Sequence, residues 1–485
     1  MLCSQMIANE NPSVITPPAA SSACSFHRSP IGNLKSHVLC SLRTLFALLS
    51  FKIRHKPFKL NGLRTLAKTT EGYPCCPLPF PLSLNCQLAL TLVMCLATSF
   101  FTPCIASAQQ RREREPNGIY AERRAKLAAQ VDAPVVLWGL TGREESSQTY
   151  IFEQEENFYY LTGHNEEGAG LVILPANKSA GGATSEDSHE IFFLPVKNAL
   201  KEKWNGVRMS SADADIQSRT GFSAVKPFSE LRATVERLAK TSPHFYTILP
   251  YEKELGGYPH EHEVVDWLQQ VAPQAKLKDV RSPIEMLRQI KSPGEIAFLK
   301  RAIELSLDAQ LEAMRMMRPG LYEYQVGAKM VEVHAMGGSE AEGYAPIVGA
   351  GPNSTALHYD QLSRKIADGD VVVLDVGAQY SGYSADITRT LPANGKFTPR
   401  QREIYDIVLG AQNAALAALK PGMDLCRKSD KSVYKISFDY INSHGKDLHG
   451  KPLGQYYIHG LGHNIGRSEE RRVGKECRSR WSPYH

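Results

Sequence analysis

A chain of 485 residues with 42% hydrophobic and 22% charged side chains is long enough for two or three domains with real cores, and this balance excludes disordered and fibrous classes. The formal charge is +6, but residues 467–485 alone carry six Lys and Arg against three Asp and Glu. The remainder is nearly neutral, so nucleic acid is not an expected partner. Eight of the ten cysteines precede residue 105, which leaves the later chain without a disulfide framework.

No charged residue occurs between Gly72 and Gln110. Within that stretch Leu88–Phe101 is an apolar run of signal-peptide length, followed by the small-residue cleavage site Ala106-Ser107-Ala108. The run is short of the roughly 20 residues that a spanning helix needs. Residues 1–108 therefore read as an upstream extension plus a signal peptide with its apolar core at about 88–101. Export to the periplasm or the exterior follows, with cleavage near Ala108 and no stable membrane span afterwards; a membrane anchor is the rival. The segment ahead of the apolar run is too long for an ordinary leader and suggests a start codon set too far upstream.

From 119 to 275 short β-rich runs alternate with helical stretches, the pattern of an α/β domain. Val135–Trp138, Leu171–Leu174 and Glu190–Leu194 read as buried strands. Ala121–Gln130 reads as a helix with basic residues on one side. Asn177–Ser188, rich in Gly, Ser and Ala, reads as a surface loop. A boundary falls near Ser282–Ser292, where Ser292-Pro293-Gly294-Glu295 has the N-cap, first-turn proline and third-position glutamate of a capping box. A long helix to about Met317 should follow, then helices over Glu323–Met336 and Pro399–Leu419 flanking strands at Val371–Val376 and Ser384–Thr390. That is an α+β domain over 283–466, antiparallel strands with helices on one side.

Chemistry concentrates in this second domain. In a hairpin turning at Tyr380-Ser381, Asp375 and Asp386 would face each other with Cβ atoms about 5 Å apart. Two carboxylates so placed in an apolar sheet repel, and divalent cations relieve that cost. The competing reading has one aspartate capping a turn and the other paired with Arg389 or Arg364. Downstream, His459 and His463 stand four apart with glycines between them, and imidazole with carboxylate suits zinc, manganese or cobalt rather than calcium. His358 is a further candidate; each histidine alone reads more simply as structural.

The ordered set NSTALHY, VVVLDVGAQYSGYSADITRT, FTPRQREIYDIVL and HGLGH resembles the pita-bread metallopeptidases, most closely the Xaa-Pro aminopeptidase (aminopeptidase P) family. Arg123-Arg124, Phe158–Gly163 and Trp204–Arg208 resemble that family's N-terminal domain, so the likeness runs from about 119 to 466. It implies an α/β N-terminal domain and a pita-bread catalytic domain. It also implies two divalent ions, manganese before zinc or cobalt, held by Asp375, Asp386 and His463, with His358 and His459 lining the substrate site. By that resemblance, metal-activated hydroxide attacks the bond before a proline in second position, in peptide substrates with an Xaa-Pro N-terminus. A homo-oligomer is compatible with the family.

Two glutamates that complete the family's metal site have no counterpart before Gly466. Residues 467–485, RSEERRVGKECRSRWSPYH, resemble translated sequencing-adapter read-through more than a divergent terminus. The expectation is a truncated domain and a chain that is inactive and poorly soluble as it stands. A prolidase-type dipeptidase, a non-catalytic peptide-binding relative and a metal-free creatinase-like hydrolase are the alternatives.

Overall fold

The computed structural model describes residues 113–144, 152–177, 189–250, 259–421, 423–425 and 432–467, all within one compact unit. The signal-peptide segment, most of the Asn177–Ser188 loop and residues 468–485 lie outside the described residues. Among the described residues no helix is long and apolar enough to cross a membrane.

The N-terminal half runs α1 (Asn117–Gln130), β1 (Val135–Trp138), α2 (Glu156–Thr162), β2 (Gly170–Ile173) and β3 (Glu190–Leu194). It continues with α3 (Ala199–Asn205), α4 (Ile216–Thr220), β4 (Val225–Pro227), α5 (Leu231–Ala239), β5 (His244–Thr247), α6 (Pro259–Val271) and β6 (Lys276–Asp279). Its six strands form one sheet in the order β4-β3-β2-β1-β5-β6. Only β2 runs against its neighbours.

Successive side chains of a strand point to opposite faces. Val135 and Leu137 accordingly join Leu171, Phe192, Leu127 and Phe158 on one face, while Val136 joins Val172, Phe193, Leu231 and Leu268 on the other. Helices cover both faces, so these strands read as continuous apolar runs rather than alternating ones. Each such side chain, fully buried, contributes about 1.5–3 kcal/mol.

The basic pair of α1 does not form a solvated side. Arg123 and Arg124 are buried, Arg124 bonded to Glu190 and Arg123 to Glu115 and Glu295. The expected boundary at Ser282–Ser292 is largely a helix, α7 (Arg281–Gln289), whose buried Ile284 completes the first face of the N-terminal sheet.

The second half runs α8 (Pro293–Met316), α9 (Glu323–Met336), β7 (Ala341–Glu342), β8 (Ile347–Ala350), β9 (Val371–Val376) and β10 (Ala378–Tyr380). It ends with β11 (Tyr383–Ser384), β12 (Ile387–Pro392), α10 (Pro399–Ala418) and α11 (Val433–His444). The capping box at Ser292 is present: Ser292 Oγ accepts from Glu295 N, and Ser292 N donates to Glu295 Oε2. The strands form two three-stranded sheets, β11-β10-β7 and β12-β9-β8.

Small residues on the buried face of α8 let it approach the sheets closely. Gln310 donates to the carbonyls of Leu374 and Ile387, and Ser306 accepts from Ala378 N. The chain passes between the two sheets at Gly377, where a methyl would stand 2.0 Å from Ala385 O.

Candidate metal centre

The hairpin that carries both aspartates turns one residue later than its sequence suggests. Tyr380 pairs with Tyr383, and the two turn residues between them, Ser381 and Gly382, have φ of 52° and 75°. Two positive φ values are what a two-residue hairpin loop of matching twist requires. The register moves accordingly, so that Asp375 faces Thr388 rather than Asp386.

A shift of two positions preserves side-chain parity, and the two aspartates remain on one face as diagonal neighbours. Val372, Leu374 and Val376 point the other way, into the core beneath α8 and α9. Asp375 and Asp386 are thereby turned away from the helices and remain partly exposed.

Tyr344, between β7 and β8, was not singled out by its sequence context. Its hydroxyl donates to Asp375 Oδ1 and lies 3.2 Å from Asp386 Oδ1. The segment bearing the histidines is pinned beside this hairpin by Ser384 N, which donates to Gly466 O at 2.9 Å. That contact brings His463 Nε2 to 2.9 Å from Asp386 Oδ2, with His463 Nδ1 2.7 Å from Asn464 O.

Asp375, Tyr344, Asp386 and His463 thus form one hydrogen-bonded chain. His459 is half-buried on the same segment with Nδ1 2.9 Å from Gly460 O. His358 is exposed on a different loop and makes no hydrogen bond among the described residues. Of the two arginines offered by the competing reading as partners for one of the aspartates, Arg364 binds Asp370 instead.

Two carboxylates and an imidazole are the donors that a borderline divalent cation takes. In this arrangement His463 bonds Asp386, and the Tyr344 hydroxyl links the two aspartates. Among the described residues no three His, Cys, Asp or Glu side chains converge on a cation-sized position. The donor types fit a metal. A cavity of about 580 Å³ in the N-terminal half is lined by Trp138, Glu166, Arg208 and Phe228 and includes none of these residues.

Residues 297–478 match the profile of metallopeptidase family M24, and residues 120–246 match the aminopeptidase P N-terminal domain. The Xaa-Pro aminopeptidase of Haemophilus influenzae is 30% identical over 367 residues, covering 72% of this chain and 80% of that protein. The chain belongs to metallopeptidase family M24, in its aminopeptidase P branch. The Xaa-Pro aminopeptidase of Escherichia coli is likewise 30% identical, over 65% of this chain and 72% of its own length.

Among solved structures, proline aminopeptidase P II from Yersinia pestis aligns with a TM-score of 0.60 at 29% identity. It covers 73% of this chain and 81% of that one. An Escherichia coli aminopeptidase P variant aligns at 0.62 and 28%, with the same coverage. The α/β domain followed by a pita-bread domain is the architecture of this M24 branch. The M24 match continues past Gly466 to residue 478. Arg467 is buried with its guanidinium on Glu156 and 4.4 Å from the Tyr159 ring centre.

Proposed function

We propose that this M24 protein is a metalloaminopeptidase that releases the first residue from peptides with proline in second position, using Asp375, Asp386 and His463 as metal ligands. The observation that carries this reading is the hydrogen-bonded chain from Asp375 through Tyr344 and Asp386 to His463, on a fold whose relatives carry the name Xaa-Pro aminopeptidase. A divalent ion in such a site, manganese before zinc or cobalt, supplies Lewis-acid polarisation and neutralises charge that develops on the scissile carbonyl.

The chain's own residues hold and orient. Asp375 and Asp386 present anionic oxygens from a rigid hairpin, and Tyr344 fixes the rotamer of Asp375. His459 and His358 are assigned to the substrate side, where an imidazole donates to a carbonyl oxygen as charge develops on it. The described residues supply donors for one cation rather than for a bridged pair. These donors alone are proposed to bind one metal and to support slow turnover or none.

The test offers the full chain, with manganese, an Xaa-Pro dipeptide and a longer peptide with proline second. Binding or cleavage of the longer peptide in preference supports the aminopeptidase assignment, and preference for the dipeptide replaces it with a prolidase. Binding of neither overturns the substrate reading. Rapid manganese-dependent release of the first residue would keep that reading but overturn the donor count. Export with cleavage near Ala108 belongs to the same proposal, and N-terminal sequencing of the secreted chain decides it: a start near Gln109 supports it, and retention of residues 88–101 favours an anchor.

A further inference from the structure

Glu323 opens α9 and is fully buried. A buried carboxylate is costly unless its oxygens are well bonded, and this one is. Oε1 accepts from Ala350 N at 2.8 Å and from Asn353 Nδ2 at 3.1 Å. Oε2 accepts from Tyr359 Oη at 2.8 Å, from Arg364 N at 2.8 Å and from Asn353 Nδ2 at 3.3 Å. The positive end of the α9 dipole adds to its stabilisation.

All of these donors belong to one stretch of chain, residues 350–364. It leaves β8 at Ala350, passes through a short 3₁₀ turn, carries His358 and returns at Arg364. Two further bonds, from Glu323 N to Arg364 O and from Tyr324 N to Leu362 O, each 3.0 Å, fasten its returning end. Asn353 Nδ2 also donates to Tyr359 Oη at 2.8 Å. The motif NSTALHY is therefore built around this carboxylate: Asn353 and Tyr359 turn inward to it, and His358 between them faces solvent. The start of the segment is registered to the candidate centre, since β8 pairs Ile347 with Asp375 and Ala350 with Val372.

We propose that Glu323 is a positioning residue whose buried carboxylate ties both ends of the 350–364 segment to the first turn of α9 and so fixes His358 relative to the strand that carries Asp375. Its bearing on catalysis rests on the assignment of His358 to the substrate side. A neutral isostere turns one accepting oxygen into a donor that faces donors. Bonds from neutral donors to a charged acceptor are among the stronger ones.

The experiment compares the full chain with Glu323→Gln. It reads amide hydrogen exchange at Ala350 and Arg364 together with the ring resonances of His358. Loss of protection at both amides by at least about tenfold and a displaced or broadened His358 signal are expected. The amides of β9 should stay unchanged, as should the ring of His334, which lies on the same helix and is bonded to Glu342.

Exchange within twofold of the parent and an unmoved His358 would overturn the proposal. So would equal loosening of β9 and His334, which marks general destabilisation. If Glu323→Gln does not fold, Tyr359→Phe decides: a displaced His358 signal supports the proposal and an unmoved one overturns it. The substrate-side assignment is tested separately by affinity of His358→Ala for an Xaa-Pro peptide with manganese. Unchanged affinity there, with His358 displaced in Glu323→Gln, removes that assignment and leaves the positioning role standing.

Discussion

Tyr344 sets the electrostatic state of the candidate centre. A single phenolic proton serves Asp375 while the same oxygen lies 3.2 Å from Asp386, so the hydroxyl contributes to the compensation of both carboxylates. Removing the hydroxyl in Tyr344→Phe should destabilise the metal-free chain by about 1.5–3 kcal/mol, the range for a hydrogen bond to a charged group. Saturating manganese, which takes over that compensation, should shrink the loss. Denaturant titrations with and without manganese check this; an equal loss in both would show that the hydroxyl and the cation do not share the carboxylates. Tyr344 and Glu323 were not legible in the sequence, because neither stands in a ligand-like spacing. Their roles arise from the loop geometry that brings β8 and α9 to the hairpin. The aspartates were legible because their spacing keeps them on one face whether the register sum is that of the expected turn or the observed one.

At the scale of elements, the hairpin depends on one close approach. Gly377→Ala would press a methyl against Ala385 O, where 2.0 Å is available, at a cost of about 3 kcal/mol or more. The His463–Asp386 contact should weaken with it. A drop in denaturant midpoint together with lost manganese affinity is the expected outcome, and a wild-type midpoint would contradict the packing seen here. The turn lies one residue later than the sequence predicts, since Ser381 with positive φ is a choice that side-chain chemistry does not advertise.

The loop after α2 holds two titratable groups with opposite leanings. Burial pushes His164 down to about 3, with Arg114 adding to it, and burial pushes Glu166 up to about 7 against the pull of Arg208. The folded imidazole refuses a proton that the unfolded chain takes below its ordinary 6.5, so stability is lost as pH falls from there. The folded carboxyl keeps a proton that the unfolded chain releases above 4.5, so stability is lost as pH rises toward about 7. The two slopes oppose each other between those ordinary values. Glu166→Gln should leave only the histidine slope, gaining stability relative to the parent between about pH 5 and pH 7.5. Parallel pH profiles for the two proteins would show that Glu166 is ionised in the fold.

Over the whole molecule, the two halves are joined by buried charge. Arg123 on α1 bonds Glu115 and reaches Glu295 at 3.2 Å, while Tyr383 from the hairpin donates to Glu295 at 2.7 Å. Arg123→Ala would leave two buried carboxylates without their cation, a loss of about 3–5 kcal/mol. Unfolding should then separate into two transitions when followed by probes in each half; a single unshifted transition would contradict the coupling. Short apolar runs made the strands legible in the sequence, and the capping box at Ser292 did the same for α8. This contact was not legible, because a pair of arginines on a helix reads equally well as a solvated face. Tyr456, Ile458 and Ile465 are exposed beside the histidine segment.

The central claim is that Asp375, Asp386 and His463 together hold a divalent cation. The direct measurement is an equilibrium manganese titration of the full chain, of Asp386→Asn and of His463→Ala, following free manganese by its paramagnetic resonance. The account predicts one manganese per parent chain and a dissociation constant at least about tenfold higher in each variant, as loss of a direct donor should exceed the 10- to 100-fold typical of outer partners. A parent chain that takes up no manganese, or variants that bind it as tightly as the parent, would contradict it.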